Sequence, residues 1–288
     1  MTKKPTPPFP PQPITPPGAE HKMDPKPHYK ATSYKPAGKL KNKVALISGG
    51  DSGIGRAVAL IFAREGADVA LVFLPEEKHD AEKIKQEIEA VGRHVLLIPG
   101  DLKQVEFCEK VVTNTIERFK KIDILVNNAA FQKHQPNLEA VSMEQWDLTF
   151  RSNIYGYYLL CKYAVPHMNA GSVIINTGSI TGLEGSKELL DYSSTKGAIH
   201  SFTKSLAKNL IEKGIRVNCV APGPVWTPLN PAENKDKDIK NFGKNTGMGR
   251  PAQPEELAPA YVFLASNADS GYISGLILPV LGGDTIAG

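Results

Sequence analysis

The sequence predicts a doubly wound α/β domain built on a seven-stranded parallel sheet. Three observations carry that expectation: short uninterrupted apolar runs recur along the chain, amphipathic helical stretches separate them, and a glycine-rich turn joins the first run to the first helix. Strands buried on both faces read as continuous apolar runs, and right-handed crossovers then place helices on both sides of the sheet. The strand candidates are 44–48, 68–74, 94–99, 122–127, 172–177, 215–220 and 276–281. Helices are expected where Ile54, Ala57, Leu60, Ile61 and Ala63 share a face, and near 78–91, 104–120, 143–168, 191–213 and 254–266. Ligands of such folds bind beyond the carboxyl ends of the strands, so function is sought there.

Composition divides the 288 residues unequally. Residues 1–40 hold seven lysines against Glu20 and Asp24, together with 11 of the 23 prolines, so they carry the whole excess of the formal charge of +4. Proline removes a backbone donor and biases its predecessor toward extended geometry, which keeps a globular core from starting there. The expected organisation is an extension over 1–40 followed by a single domain over 41–288. The extension reads first as a mobile, polyproline-like tail and second as a strap lying on the same or a neighbouring subunit. The remaining 248 residues carry −1, which gives no support to a nucleic-acid partner. No apolar stretch approaches the roughly 20 residues of a membrane span and no signal-peptide core is present, so a membrane partner is not expected and the cytoplasm is the default compartment. Cys108, Cys161 and Cys219 form no C-x-x-C pair and read as buried reduced thiols; no metal ligand is assigned.

The strand ends carry the chemistry. After the first strand comes Ser48-Gly49-Gly50-Asp51-Ser52-Gly53-Ile54-Gly55, with glycines spaced G-x-x-x-G-x-G. Glycine there permits a tight turn and lets the backbone approach a pyrophosphate, which the N-terminus of the next helix favours. Gly100-Asp101-Leu102 follows the third strand, and Asp101 reads either as a cofactor contact or as a helix N-cap. Asn127-Asn128-Ala129-Ala130 follows the fourth. Thr177-Gly178-Ser179 ends the fifth, and Tyr192 and Lys196 share one face of the helix after it. A tyrosine near pKa ~10 shuttles protons poorly at neutral pH, and a neighbouring ammonium favours its phenolate.

The ordered set of Gly49, Gly53, Gly55, Asn127-Asn128-Ala129, Asn153, Ser179, Tyr192, Lys196 and Pro222-Gly223 resembles a classical short-chain dehydrogenase/reductase, over about residues 41–283. The Gly-Gly-Asp-Ser-Gly-Ile-Gly-Arg turn and the proline-rich start further resemble an N-terminally extended subgroup of general-stress oxidoreductases and glucose and ribitol dehydrogenase homologues. The resemblance implies a Rossmann fold, with Tyr192 as acid/base, Lys196 lowering its pKa and binding the nicotinamide ribose, Ser179 orienting the reacting oxygen, and Asn153 disturbing its helix and holding water toward Lys196. It implies cofactor contacts from Gly49, Asp51, Ser52, Gly53, Ile54, Gly55, Leu74, Asp101, Leu102, Asn128, Ala129, Ala130, Thr177, Tyr192, Lys196, Pro222, Gly223, Val225 and Thr227. Three departures stand out: Ser48 where threonine is frequent, Ala130 for the last glycine of Asn-Asn-Ala-Gly, and Leu281 where Asn or Asp is commoner.

The cofactor expected is NADP or NAD. An NAD site usually ends its second strand in an acid, whereas this strand ends Val72-Phe73-Leu74. Glu76 and Glu77 can swing back to a ribose diol and Lys78 can reach a phosphate, and the sequence leans to NADP. A lid over about 224–250 is expected to shape the substrate site, with Trp226, Phe131 and Leu189 lining it and Gln132 and Glu184 as polar contacts. The leading function is hydride transfer to or from a small-molecule carbonyl or alcohol: an aldehyde, a ketone, or a sugar or polyol. A nucleotide-binding sensor or scaffold and an epimerase or dehydratase are the alternatives. The resemblance also implies a homotetramer, packed through the helices near 104–120 and 143–168 and through the last strand.

Overall fold

The structure, a computed structural model, describes residues 4–12, 14–233 and 239–285. Seven parallel strands, β1 (Val44–Ser48), β2 (Asp68–Phe73), β3 (Val95–Pro99), β4 (Ile124–Asn127), β5 (Val173–Thr177), β6 (Arg216–Pro222) and β7 (Ile277–Val280), form one sheet in the order β3-β2-β1-β4-β5-β6-β7. Every expected strand is present, and the fold is the expected doubly wound Rossmann architecture. The order reverses between β1 and β4, where Leu46 pairs with Ala70 on one side and Leu125 on the other. That switch point opens the crevice in which dinucleotides lie in such sheets.

Apolar layers cover both faces. On one, α1 (Gly53–Arg64), α2 (Lys78–Ala90) and α9 (Pro254–Ala265) bury Ala57, Ile61, Ile84, Leu257 and Tyr261 against Ile47 and Leu71. On the other, α3 (Val105–Phe119), α5 (Gly156–Ala164) and α7 (Leu190–Leu210) bury Val111, Leu160 and Leu210 against Leu46, Leu125 and Ile174. Cys108, Cys161 and Cys219 are buried free thiols. No helix among the described residues is long and apolar enough to cross a membrane.

The helix expected over 143–168 is interrupted. It runs as α4 (Met143–Phe150), a π-helical turn Arg151–Tyr155, and α5, and it closes in a 3-10 turn Val165–His167. The wide turn carries Asn153. Among the described residues, short helices that the periodicity does not announce include α6 (Thr181–Glu184), α8 (Leu229–Glu233) and α10 (Asn267–Ser270).

The first 40 residues depart most from expectation. The described part of the extension lies on the domain as a strap of the same chain, not as a free tail. Phe9, Ile14 and Met23 are buried in a small core with Trp226 and Ile239, and the Phe9 ring stacks on Trp226 at 4.1 Å. Composition missed this because its anchors, Phe9, Ile14, Glu20, Met23 and Tyr29, are single residues scattered among prolines and lysines, with no periodicity to report them.

Candidate active site

The turn after β1 is built around backbone that tolerates no side chain. Gly49 and Gly53 sit in the left-handed region at φ 63° and 52°. A Cβ on Gly55 would lie 1.8 Å from the carbonyl oxygen of Gly49, so α1 leaves the turn in backbone contact with it. Gly55→Ala is therefore expected to force turn and helix apart, destabilising the fold by about 1–3 kcal/mol and weakening dinucleotide binding at the same time. Thermal unfolding and a fluorescence titration with cofactor check both effects.

Asn128 fixes the same turn from β4, donating from Nδ2 to the Ser48 and Gly49 carbonyls at 3.2 and 3.1 Å. The Ser48 hydroxyl, standing where threonine is frequent, accepts from the Asn128 and Ala129 amides. At the start of α1 the Gly53 amide donates to Glu20 Oε2 at 2.6 Å. The Ile54 and Gly55 amides belong to the first turn, whose N–H groups have no intrahelical acceptor and suit a phosphate.

A single cavity of about 680 Å³ runs from this turn across the ends of β2, β3, β4, β5 and β6. Every cofactor contact expected from the sequence lines it except Gly55, and Ser179 lines it too; Gly55 and Asn153 stand behind its wall. That volume lies in the range of about 300–1,000 Å³ typical of ligand pockets. A buried acceptor, Asp51 Oδ2, has no protein partner in its wall. The glycine cradle, the helix start and this unsatisfied oxygen fit a dinucleotide.

At the end of β2, Glu77 folds back onto its own turn, where its Oε2 accepts from the Leu74 amide at 2.9 Å, and it lines the cavity. Burial pushes Glu77 up to about 7, and burial together with the Glu77 carboxylate pushes Asp51 up as well. Glu76 and Lys78 are exposed and do not reach the cavity wall. Asp101 is not the N-cap of α3, which Gln104 occupies; its carboxylate accepts from the Lys103 amide and pairs with the Lys103 ammonium.

At the far end, Ser179, Tyr192 and Lys196 come together, all buried. Lys196 Nζ donates to the Thr177 carbonyl at 2.8 Å and lies 5.3 Å from the centre of the Tyr192 ring. Burial pushes the phenol up to about 12, opposed by its hydrogen bond with Ser179, while burial pulls Lys196 down to about 8. The ammonium is turned to a carbonyl, so desolvation decides both groups.

Asn153 does sit in a disturbed helix turn, but its amide is engaged. Oδ1 accepts from the Phe131 amide at 2.7 Å, and Nδ2 donates to the Phe131 carbonyl and to Thr195 Oγ1. It thus ties the strand β4 exit to the helix that carries Tyr192 and Lys196. Sequence reasoning missed two further supports. Asp191, fully buried, accepts from Gln145 Nε2, Thr149 Oγ1 and the Tyr192 amide. His200, pulled down to about 4 chiefly by burial, stays neutral and accepts from the Ser179 amide. Neither lies in a spacing that marks it before the helices are packed.

Phe131, Gln132 and Leu189 line the cavity as expected. Trp226 does not: it is buried beneath Phe9, and its indole N–H donates to the Pro25 carbonyl. Glu184 is exposed. The Trp226 correction follows from the extension, which packs Phe9 on the indole and adds Pro16 and Pro17 to the cavity wall. The centre of the expected lid, 234–238, lies outside the described residues.

Comparison with known proteins agrees with this geometry. The family profile described as enoyl-(acyl carrier protein) reductase matches residues 49–285. An uncharacterized oxidoreductase of Bacillus subtilis (strain 168), YhdF, is 52% identical over 94% of this chain and 93% of its own. Glucose and ribitol dehydrogenase of Daucus carota is 47% identical over 94% and 95%. A crystal structure of a short-chain dehydrogenase from Burkholderia cenocepacia J2315 in complex with NADP superposes with a TM-score of 0.79 at 29% identity, covering 85% of this chain and 98% of that one. The glycine cradle, the Ser179, Tyr192 and Lys196 grouping and these relationships together place the chain in the short-chain dehydrogenase/reductase family of NAD(P)-dependent oxidoreductases.

Proposed function

We propose that the protein interconverts a small carbonyl compound and its alcohol, with Tyr192 handling the proton. The observation that carries this reading is that Ser179, Tyr192 and Lys196 line one end of the cavity together, with the buried Lys196 ammonium 5.3 Å from the centre of the Tyr192 ring. The bound nicotinamide supplies the hydride chemistry. Ser179 and Tyr192 present two hydroxyls to one substrate oxygen, which orients the carbonyl carbon. Tyr192 donates its phenolic proton to that oxygen during reduction and recovers it during oxidation. Lys196 holds a positive charge behind the reacting oxygen, and Asn153 and Asp191 keep the helix in register with β4 and β5.

The cavity narrows the substrate to small molecules. Gln132, held to Asn230 at 3.2 Å, sets amide groups beside Phe131 and Leu189 in the wall, a mixed lining that suits a sugar, a polyol or a polar aldehyde. Glucose and ribitol dehydrogenase, by its name, acts on substrates of that kind. At the adenosine end Asp51 and Glu77 offer acceptors to ribose hydroxyls, and near neutrality burial lets them hold a proton and soften repulsion of a 2′-phosphate. The deciding experiment is turnover of an aldehyde, ketone and polyol panel with each cofactor. Turnover of sugars, polyols or aldehydes is expected, with kcat/KM higher for NADP(H). No turnover of any member with either cofactor overturns the reading in favour of a nucleotide sensor, and a strong NADH preference overturns the lean to NADP.

A homotetramer in the cytoplasm completes the proposal. Met143, Tyr155 and Tyr158 stand exposed along α4, the π-helical turn and α5, and Tyr272 is fully exposed close to the edge strand β7. These are apolar groups that a second copy would cover. Light scattering checks this, and a monomer refutes it.

A further inference from the structure

We propose that His21, His79 and Asp80 form a divalent transition-metal site that fastens the extension to α2. The three side chains offer ligand atoms that all lie within 4.8 Å of one another. His21 Nδ1 is 3.1 Å from both Asp80 oxygens, and the His21 and His79 rings are 4.4 Å apart. The three ligand atoms are close enough that small side-chain shifts would bring them to the about 2.0–2.2 Å from one ion that a tetrahedral zinc site requires.

Charge points the same way. Asp80 is 1% exposed, and its carboxylate lies near those of Glu20 on the extension and of Asp51 and Glu77 at the cavity. Arg56 pairs with Glu20 and so offsets one of these four carboxyls. A dication on Asp80 would neutralise its buried carboxylate. Two imidazoles with one carboxylate suit zinc, nickel or copper, whereas calcium and magnesium prefer all-oxygen sets. His79 is exposed, which leaves the outer side of the site open to water as the remaining ligand. None of the three residues lines the large cavity, so the role is structural: the metal would hold His21, next to Glu20, against α2.

The test uses the untagged, full-length protein stripped with a chelator. Zinc chloride alone is titrated calorimetrically into the wild type, His79→Gln and His21→Gln, with cobalt absorption as a second readout of tetrahedral coordination. One zinc equivalent, a rise in Tm in the wild type only, and binding weakened about tenfold or more in both variants are expected. His79 is exposed, so His79→Gln is expected to keep the fold, which its Tm without zinc checks. No saturable zinc binding, or equal binding in the wild type and both variants, overturns the proposal.

Discussion

Tyr192→Phe is expected to lower kcat by about 10²–10⁴-fold, the range supplied by a positioned proton donor, with dinucleotide binding nearly unchanged. The substitution removes one hydroxyl from a buried ring and leaves the Thr177 to Lys196 contact, the glycine turn and Asn128 in place. The pH behaviour sharpens the test. Burial holds the Tyr192 phenol near 12, so it carries its proton throughout the neutral range, as a donor to a carbonyl must. Lys196, pulled down to about 8, is an ammonium below that pH and an amine above it. Affinity for the anionic dinucleotide is therefore expected to fall as pH rises through about 8. Tyr192→Phe should keep that limb and Lys196→Gln should lose it. Fluorescence titration across pH and initial rates on the best panel substrate measure the two effects separately, and an active Tyr192→Phe overturns the mechanism.

The parts of this architecture that were legible in the sequence are those whose signal is local. β1 to β7 announce themselves as apolar runs because both faces of each are buried, and Gly49, Gly53 and Gly55 announce a turn because backbone contact excludes a side chain there. Tyr192 and Lys196 are legible through helical spacing. What the sequence hides depends on distant partners. The Thr177 carbonyl that accepts from the Lys196 ammonium lies 19 residues away, a contact no helical spacing announces. Trp226 looks like a pocket residue until Phe9 covers it, and Pro25 lies 201 residues from the indole it accepts from. His21 is 59 residues from Asp80, so no ligand spacing could mark that group. The extension was misjudged for the same reason: lysine and proline dominate its composition, while its hold on the domain comes from a few residues that meet partners across the fold.

Glu20→Ala is expected to lower stability by about 3–5 kcal/mol, the range for stripping one partner from a buried ion pair. Glu20 and Arg56 are 3% and 2% exposed, and Arg56 Nη1 donates to Glu20 Oε1 at 2.8 Å. The same guanidinium donates to the Tyr29 hydroxyl at 2.7 Å and lies 3.7 Å from the centre of its ring, so the extension holds Arg56 through two residues. Glu20 also accepts from the Gly53 amide, at the start of the helix that faces the dinucleotide. Loss of Glu20 thus leaves a buried cation unpaired and frees the glycine turn. Deletion of 1–40 should lower Tm and weaken dinucleotide binding together, because it also bares Trp226 and removes Pro16 and Pro17 from the cavity wall. Glu20→Gln separates charge from shape. Burial raises Glu20 from 4.5 to about 7, so between those values the folded chain holds a proton that the unfolded chain releases. Stability is expected to fall as pH rises from about 4.5 through 7, and Glu20→Gln should remove that slope. Denaturant unfolding at a series of pH values reads the slope directly. An unchanged Tm and cofactor Kd after deletion of the extension would show that its contacts are passive, whereas coupled losses would make it a working wall of the active site.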